Sequence, residues 1–215
     1  MRCCQSTACG TGRFFSHFAG RYRRRYHARG LERSQEQLLA GIGLARLGTF
    51  SVLEIGCAVG YLHQELLRRG GTRAVGVDLS ERMLDEARAL AEEAGLADRV
   101  DYRLGDFIDI AAHIESVDVT LMDKVICCYP DARTLVARAM DRTGRVVALT
   151  YPRSHRFNRW MIAAGALMMA LVRSTYRPYF YEPAEVSGWI EGCGFRRIWQ
   201  SQTPLWLTQV YEREG

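Results

Sequence analysis

The stretch VLEIGCAVGYL, residues 52–62, reads as a strand that runs into a glycine turn and then into a helix. Gly56 and Gly60 let the backbone approach a ligand at a point where a Cβ atom would clash. A dinucleotide-binding turn reads Gly-x-Gly-x-x-Gly, whereas here Ala58 and Tyr61 occupy its third and sixth positions. A bulky tyrosine disfavours the close helix packing of that motif, and no Gly-Lys-Ser/Thr follows as in a phosphate-binding loop. The turn therefore predicts a ligand other than a dinucleotide.

The rest of the chain repeats this strand-helix alternation, which is typical of a mostly parallel sheet. Strands are predicted at 51–55, 72–78, 100–106, 117–123, 145–152, 195–201 and 205–212. Helices are predicted at 60–70, 80–95, 131–142, 157–172 and 183–193. The last two strands form a hairpin. We therefore predict an α/β, Rossmann-like, seven-stranded, mostly parallel sheet with an antiparallel last strand and helices on both faces, with residues 1–45 as an N-terminal helical cap and residues 46–215 as the main domain.

The composition indicates a folded protein, and its charge is uneven. Of 215 residues, 48% are hydrophobic and 10% aromatic, which is ample for a core. The net charge is +5, yet residues 1–33 alone hold eight arginines and one acid. Such a cluster suits nucleic acid, anionic lipid, an acidic substrate or only a solvated helix face. Because no recognised nucleic-acid module accompanies it, we do not expect nucleic acid as a partner.

The seven cysteines are expected to be reduced. No apolar segment of a signal peptide precedes them, which favours a cytoplasmic protein with free thiols. Cys3, Cys4 and Cys9 lie in the N-terminal arm, and Cys127 and Cys128 follow the fourth predicted strand. Five thiols near one pocket suit zinc, an iron-sulfur cluster or a thiophilic metalloid. Their spacing is not that of a familiar zinc site, so we assign no metal and favour packing or anchoring of the arm.

The acids at the strand ends complete a ligand-binding pattern. Glu54 ends the first predicted strand and Asp78 ends the second, 18 residues beyond Gly60. In open α/β sheets, ligands bind outside the carboxyl ends of the strands. Asp78 is placed to accept hydrogen bonds from the two hydroxyls of a ribose.

These motifs, in this order, resemble those of class I S-adenosylmethionine-dependent methyltransferases. The family's signature is an acid, any residue and Gly-x-Gly-x-Gly, then a second acid, a Gly-Asp pair and an acid after the fourth strand. The matching positions are Glu54, Gly56, Ala58, Gly60, Asp78, Gly105, Asp106 and Asp123. The resemblance covers about residues 50–150 and implies S-adenosylmethionine as the cofactor. The departure is Ala58 at the middle glycine, where a methyl group is tolerable if φ is negative.

The resemblance also implies a role for each matched residue. Glu54 would orient the turn and the methionine amino group, and Asp78 would bind the ribose. Asp106 would meet the exocyclic amine of adenine. The other residues expected to line the cofactor are Gly56, Cys57, Ala58, Gly60, Leu79, Met83, Phe107 and Asp123.

The N-terminal arm is similar to that of a small bacterial subgroup of magnesium protoporphyrin methyltransferase-like proteins. The matching features are Cys3, Cys4, Cys9, Phe14, Phe15, RYRRRYHARGL (21–31) and CCYPD (127–131). In related enzymes an N-terminal helix closes over the cofactor, so Tyr22, Tyr26 and Arg29 are expected as lid contacts.

Catalytic candidates must lie on the loops after the fourth and fifth strands. His155 is the first candidate for a general base, because its unperturbed pKa lies near neutrality. Tyr129 and Tyr151 are candidates for hydrogen bonds to an acceptor oxygen. For all three, a structural or surface role is an equal alternative, since alignment and exclusion of water can drive methyl transfer without a base.

The apolar run WMIAAGALMMALV, residues 160–172, has 13 residues, and spanning a bilayer takes about 20. We expect a buried or interfacial helix within a lid insertion at about 153–182. A Met-rich cover suits a hydrophobic or aromatic acceptor, and the arginines around it suit a carboxylate on that acceptor. Alternatives are packing on the sheet or on a homodimer partner, and shallow association with a membrane.

The sequence thus predicts a cytoplasmic methyltransferase that acts on a small hydrophobic or aromatic molecule, with O-methylation favoured. Two alternatives stay open. The basic arm fits a macromolecular substrate, and Ala58 with the lack of a clear base fits a protein that binds the cofactor without transferring its methyl group.

Overall fold

A computed structural model describes residues 7–43 and 46–215. The strands are β1 Phe50–Ile55, β2 Gly71–Asp78, β3 Val100–Leu104, β4 Val117–Asp123, β5 Thr143–Pro152, β6 Phe195–Gln202 and β7 Trp206–Arg213. They form one seven-stranded sheet in the order β3-β2-β1-β4-β5-β7-β6. β7 is antiparallel to both of its neighbours, and the β3-β2-β1-β4-β5 pairs are parallel. The predicted fold class is confirmed.

Helices cover both faces of this sheet. They are α1 Thr7–Ser16, α2 Ala19–Arg29, α3 Arg33–Ile42, α4 Tyr61–Arg68, α5 Glu81–Glu93, α6 Phe107–Ile110, α7 Ala132–Asp141, α8 Arg156–Leu171 and α9 Pro183–Glu191. The predicted caps form where the sequence placed them: Ser80 accepts a hydrogen bond from Met83 N, and Pro183 begins α9.

Alternation along β1 divides the core into two layers. Leu53 and Ile55 belong to the layer under α7 and α9, whereas Phe50 and Val52 belong to the layer under α3 and α4. All four side chains are buried, as expected for a strand with helices on both faces. β1 is therefore the central strand, and its carboxyl end lies in the middle of the sheet edge.

The N-terminal helices have two different roles. α1 and α2 lie over α5, while α3 packs on the sheet, where Gly41 approaches the Trp199 ring so closely that a Cβ would lie 2.5 Å from it. Residues 33–42 thus belong to the core as well as to the N-terminal segment. The division into a cap at 1–45 and a main domain at 46–215 stays a prediction.

Of the two expectations for α8, a buried or an interfacial helix, the structure does not support burial. Asn158 is its only buried side chain, and most of its large apolar side chains face solvent. It is anchored by polar contacts, since Asn158 Nδ2 donates to the carbonyls of Arg153 (3.1 Å) and Leu205 (2.9 Å). The alternative that α8 packs on the sheet is therefore wrong.

Across residues 7–43 and 46–215, no helix has both the length and the apolar character needed to cross a bilayer.

Candidate active site

A cavity of about 630 Å³ lies at the carboxyl ends of β1, β2 and β4, beneath α1 and α2. It is the size of a small-molecule site. Its wall on the sheet side includes Glu54, Gly56, Cys57, Ala58, Asp78, Leu79, Met83, Gly105, Phe107 and Asp123. Its other lining residues, which come from the N-terminal helices, the loop after β4, the segment after α8 and the start of β7, include Phe14, Phe15, Phe18, Arg21, Tyr22, Arg25, Glu32, Lys124, Cys127, Cys128, Tyr129, Tyr176 and Trp206. Most of the residues predicted to line a cofactor therefore meet in one cavity.

The glycine turn has no space for larger residues at its ends. Gly56 has φ +66°, and a Cβ there would lie 2.5 Å from Val125 Cγ2. Gly60 precedes α4 with φ +81°, and a Cβ there would lie 2.8 Å from His63 Cε1. Both positions therefore require glycine, for space as well as for conformation. Gly60 does not line the cavity, so it acts on the cavity only through the conformation of the turn.

Ala58 does not have the negative φ at which a methyl group was expected to be tolerable. Its φ is +48°, in the left-handed region that L-residues with a Cβ enter at a cost. The conformation aims the Ala58 N–H at Asp78 Oδ2, to which it donates at 2.9 Å. The alanine thus keeps the geometry of the family's glycine and carries strain at the cavity wall.

Asp78 joins the glycine turn to the start of α5. Besides the bond from Ala58, its Oδ1 accepts a hydrogen bond from Ser80 N at 2.9 Å. Burial raises the pKa of Asp78 to about 6, and these backbone donors oppose the shift. Each carboxylate oxygen keeps acceptor capacity on the cavity side, which suits a pair of ligand hydroxyls.

Glu54 is held by a histidine that the sequence analysis missed. Its Oε2 accepts a hydrogen bond from His63 N at 3.1 Å and lies 2.6 Å from His63 Nδ1. The other ring nitrogen lies 3.0 Å from Tyr102 Oη, which donates to the Ala87 carbonyl. His63 is fully buried, and burial raises the pKa of Glu54 although the histidine bonds oppose that shift. The sequence signal was a histidine on the buried face of α4.

Asp106 and Tyr129 form a second polar pair. Tyr129 Oη donates to Asp106 Oδ1 at 3.0 Å, and the same oxygen accepts from Ile108 N at 3.0 Å. Burial raises the pKa of Asp106. Phe107 and Tyr129 line the cavity, whereas Asp106 lies just behind it. The hydroxyl of Tyr129 is thus engaged in orienting a carboxylate.

Asp123 lies at the cavity wall with its carboxylate buried. Its Oδ2 accepts a hydrogen bond from Gln35 Nε2 at 2.9 Å, while Oδ1 is buried with no partner among the described residues. Burial raises the pKa of Asp123, and Lys124, 3.8 Å away, opposes the shift.

Two of the catalytic candidates do not reach the cavity. Tyr151 is buried in the core, where its Oη donates to Gln209 Oε1 at 2.6 Å. His155 is exposed before α8, and its Nδ1 accepts a hydrogen bond from Phe157 N at 3.3 Å. Neither side chain lines the cavity, so the structure gives no support to a catalytic role for either.

The lid contacts differ from those expected by about one helical turn. Tyr26 stacks on Tyr61, with ring centroids 4.4 Å apart, and Arg29 is exposed; neither lines the cavity. Arg21, Tyr22 and Arg25 line it instead. The expectation for Tyr22 agrees with the structure, and those for Tyr26 and Arg29 do not.

The basic cluster of α2 is partly neutralised by acids. Arg23 pairs with Glu86 at 2.9 Å and also with Glu93, both on α5. Arg25 pairs with Glu32 at 2.7 Å. These pairs dock α2 on the domain, so the charge of this helix is only partly available to a partner.

Cys127 and Cys128 lie in the cavity wall on a 3-10 turn after β4. Both thiols donate to the Lys124 carbonyl, at 3.4 and 3.6 Å. A hydrogen bond from Cys127 lowers the pKa of the Cys128 thiol, and Tyr176 adds to that effect. Cys3 and Cys4 lie outside the described residues, as does the side chain of Cys9. Among the side chains that the structure does describe, no group of three potential ligands is placed to hold a metal ion.

α8, which was expected to cover the site, contributes no side chain to the cavity. The segment after it does, because Tyr176 reaches in and stacks on Phe14, with centroids 4.6 Å apart.

Comparison with known proteins agrees with this geometry. Residues 52–147 match the family described as a methyltransferase domain. The chain belongs to the class I S-adenosylmethionine-dependent methyltransferases. It is 30% identical over 151 residues to the ubiquinone biosynthesis O-methyltransferase of Hahella chejuensis, covering 66% of this chain and 61% of the relative. It is 28% identical over 171 residues to the tRNA 5-carboxymethoxyuridine methyltransferase of Escherichia coli, covering 75% and 64%.

This member of the family also shares its fold with solved methyltransferases. The magnesium protoporphyrin IX methyltransferase of Synechocystis PCC 6803, crystallised with SAM, superimposes with a TM-score of 0.72 at 17% identity and full coverage of both chains. The chain spans only about three fifths of the curated relatives it matches. Membership of the Cys-rich subgroup stays a prediction.

Proposed function

We propose that this protein transfers the methyl group of S-adenosylmethionine to an oxygen atom of a small aromatic molecule that carries a carboxylate. One observation carries the proposal: a single cavity joins the family's cofactor-binding turn to a wall of aromatic and cationic side chains. The reaction is assigned to the cytoplasm, because the thiols of Cys57, Cys127, Cys128 and Cys193 are free.

The sheet side of the cavity fits the cofactor. S-Adenosylmethionine supplies a methyl group made electrophilic by its sulfonium. Asp78 would accept hydrogen bonds from the ribose hydroxyls, and Glu54 would orient the methionine amino group, as the resemblance implies. Leu79 and Phe107 would flank the adenine, as the resemblance implies.

The aromatic side chains that line the cavity fit a flat acceptor. Phe14 and Tyr176 stack on one another. Lys124 Nζ lies over the Trp206 ring, 5.1 Å from its centroid, in a cation-π contact. Aromatic walls bind planar molecules by offset or edge-to-face contacts. The cavity therefore favours an aromatic ring system over an extended aliphatic chain.

One cation of the cavity is available to an anion. Lys124, Arg21 and Arg25 line the cavity together with four acids, Glu32, Glu54, Asp78 and Asp123, and Glu32 pairs with both Lys124 and Arg25. Guanidinium groups recognise carboxylates through paired hydrogen bonds. Arg21 has no ion pair among the described residues, so its guanidinium supports an acceptor that carries a carboxylate.

The same charges indicate how methyl transfer would proceed. No histidine lines the cavity within residues 7–43 and 46–215. A carboxylate acceptor is ionised at neutral pH, so it needs no general base before it attacks. The chain would then act by aligning the carboxylate oxygen with the methyl group and by excluding water beneath α1 and α2.

Two other functions are distinguished by the same assay. A macromolecular substrate is favoured by the basic α2 and by the similarity to a tRNA methyltransferase. A protein that binds the cofactor without turnover is the other possibility. The purified chain is incubated with methyl-tritiated S-adenosylmethionine and one of three acceptors: aromatic carboxylic acids, matched phenols without a carboxylate, or total tRNA.

We expect label in the aromatic acids as base-labile methyl esters. Lys124→Gln should raise the KM for the acid, because it removes a cation from the cavity, and Arg138→Gln on the surface of α7 is the matched control. Label in tRNA alone, or in phenols as readily as in acids, contradicts the proposal. Cofactor binding without any labelled product would restrict the function to binding.

A further inference from the structure

The exposed face of α8 is the largest unexplained feature of the described surface. Trp160 is 67% exposed and Leu171 is 75% exposed, although both are large apolar residues. The exposed apolar side chains of this region are Phe157, Trp160, Met161, Leu167, Met168, Leu171 and Val172. Single exposed apolar side chains are ordinary, but seven large apolar side chains exposed within 16 consecutive residues indicate a binding surface.

These side chains form one continuous stripe. At 100° per residue, the seven positions fall within an arc of about 140° of the helix circumference. Beside the stripe, Asn158 holds α8 to the protein, and Gly165 lies next to Pro178, whose ring a Cβ would meet at an ordinary contact distance of 3.8 Å. The stripe is therefore presented outward on an anchored helix.

Positive charge surrounds the stripe. The 40 residues between Asp141 and Glu182 contain no acid, and residues 153–181 contain five arginines. Of these, Arg156 and Arg173 are exposed at the two ends of α8. Arg159 pairs with Glu182 at 2.9 Å. An apolar stripe with arginine and tryptophan at its borders has the composition of a helix that lies in a lipid-water interface.

We propose that α8 docks this protein on a membrane that contains anionic lipid, with its axis parallel to the surface. A helix of 16 residues is about 24 Å long, which is shorter than the roughly 30 Å hydrocarbon core, so it lies in the interface. Anionic headgroups complement the arginines. A second copy of the chain would instead bring like charges together, which opposes a dimer through this face.

The stripe is connected to the cavity through a short segment. Tyr176, five residues after Leu171, lines the cavity, and the N–H of Tyr179 donates to the Cys127 carbonyl at 2.8 Å. Docking through α8 therefore brings the wall that holds Cys127 and Tyr176 near the lipid surface. The docking itself does not depend on which acceptor is methylated.

The experiment is co-sedimentation of the full chain with vesicles of phosphatidylcholine, with or without an equal part of phosphatidylglycerol. We expect binding to the anionic vesicles that weakens in high salt, and weaker binding to the neutral ones. Leu167→Gln combined with Leu171→Gln should lower the partition coefficient at least tenfold, since each buried leucine contributes roughly a factor of ten. Both residues are largely exposed, so the variant should fold.

Two further variants make the test specific. Arg156→Gln and Arg173→Gln should each lower binding to anionic vesicles about fivefold. The control is Leu104→Gln, which removes a 52% exposed leucine from β3 at the far edge of the sheet and should bind like the unaltered chain.

Three results would overturn the proposal. They are no binding to anionic vesicles, equal binding by the double leucine variant, or a homodimer in solution that this variant dissociates. The last result would assign the stripe to a second copy of the chain.

Discussion

Replacement of Ala58 by glycine tests the strain in the cavity wall. With φ +48°, the alanine pays roughly 1–2 kcal/mol for a left-handed conformation. Glycine removes this cost, but it adds about 0.4–1 kcal/mol of conformational entropy to the unfolded chain. The Ala58 side chain is also half-buried, so the lost methyl contact offsets part of the gain. Ala58→Gly should therefore change the free energy of unfolding by roughly zero to 1 kcal/mol in the stabilising direction.

The matched control is Ala89→Gly, a partly buried alanine inside α5. There glycine should destabilise by about 1 kcal/mol, as in any helix interior. Urea unfolding monitored by circular dichroism gives both values, and the difference between the two variants should be at least about 1 kcal/mol. If Ala58→Gly destabilises as much as Ala89→Gly, the left-handed conformation and the strain derived from it are refuted.

Two other variants test how the remaining polar groups are used. His63→Gln leaves Glu54 buried without its ring partner, so the free energy of unfolding should fall by about 1–3 kcal/mol; an unchanged urea midpoint would mean that the pair contributes nothing. Tyr151→Phe removes the bond to Gln209 and should cost about 0.5–1.5 kcal/mol of stability while kcat stays the same. A tenfold fall in kcat with a folded variant would return Tyr151 to the active site.

Much of the fold follows from local sequence patterns. Runs of alternating strands and helices predicted all seven strands to within about two residues, because each strand is a short β-branched run bounded by turn residues. The antiparallel pair of β6 and β7 was predicted from two runs joined by a short turn. These features depend on neighbouring residues only.

The position of α8 could not be obtained in this way. Its apolar composition predicts burial, since a hydrophobic helix normally packs against something. Whether a partner exists depends on contacts between distant segments. In the structure, α3 occupies the sheet face beside β5 and β7, and α8 stays outside.

The cofactor side of the site was recognisable because the motif residues lie at strand ends, where topology determines direction. Asp78 and Asp123 reach the cavity for this reason. Tyr151 does not reach the cavity because it lies near the end of the predicted strand that became β5, and its side chain points into the core, where it bonds Gln209. His155 was misplaced because it caps α8, which turns away from the cavity.

The missing residues are those fixed by three-dimensional packing. His63 is nine residues from Glu54, and nothing in the local sequence shows that the two side chains bond. Tyr26 and Arg29 were expected on the lid because helical spacing does not say which face of α2 points inward. That choice is made by the stacking of Tyr26 on Tyr61 and by the pairing of Arg23 with acids on α5.

Isothermal titration of the purified chain with S-adenosylmethionine tests the central claim, that this cavity holds the cofactor through Asp78. We expect one saturable site, and Asp78→Ala should weaken it by about 1–3 kcal/mol, roughly fivefold to 150-fold. Because the pKa of Asp78 is about 6, protonation at lower pH removes the charged acceptor, and affinity should be about tenfold lower at pH 5 than at pH 8. Asp78→Ala should lose this pH dependence. No heat at millimolar ligand, or an affinity unchanged by Asp78→Ala, would contradict the account.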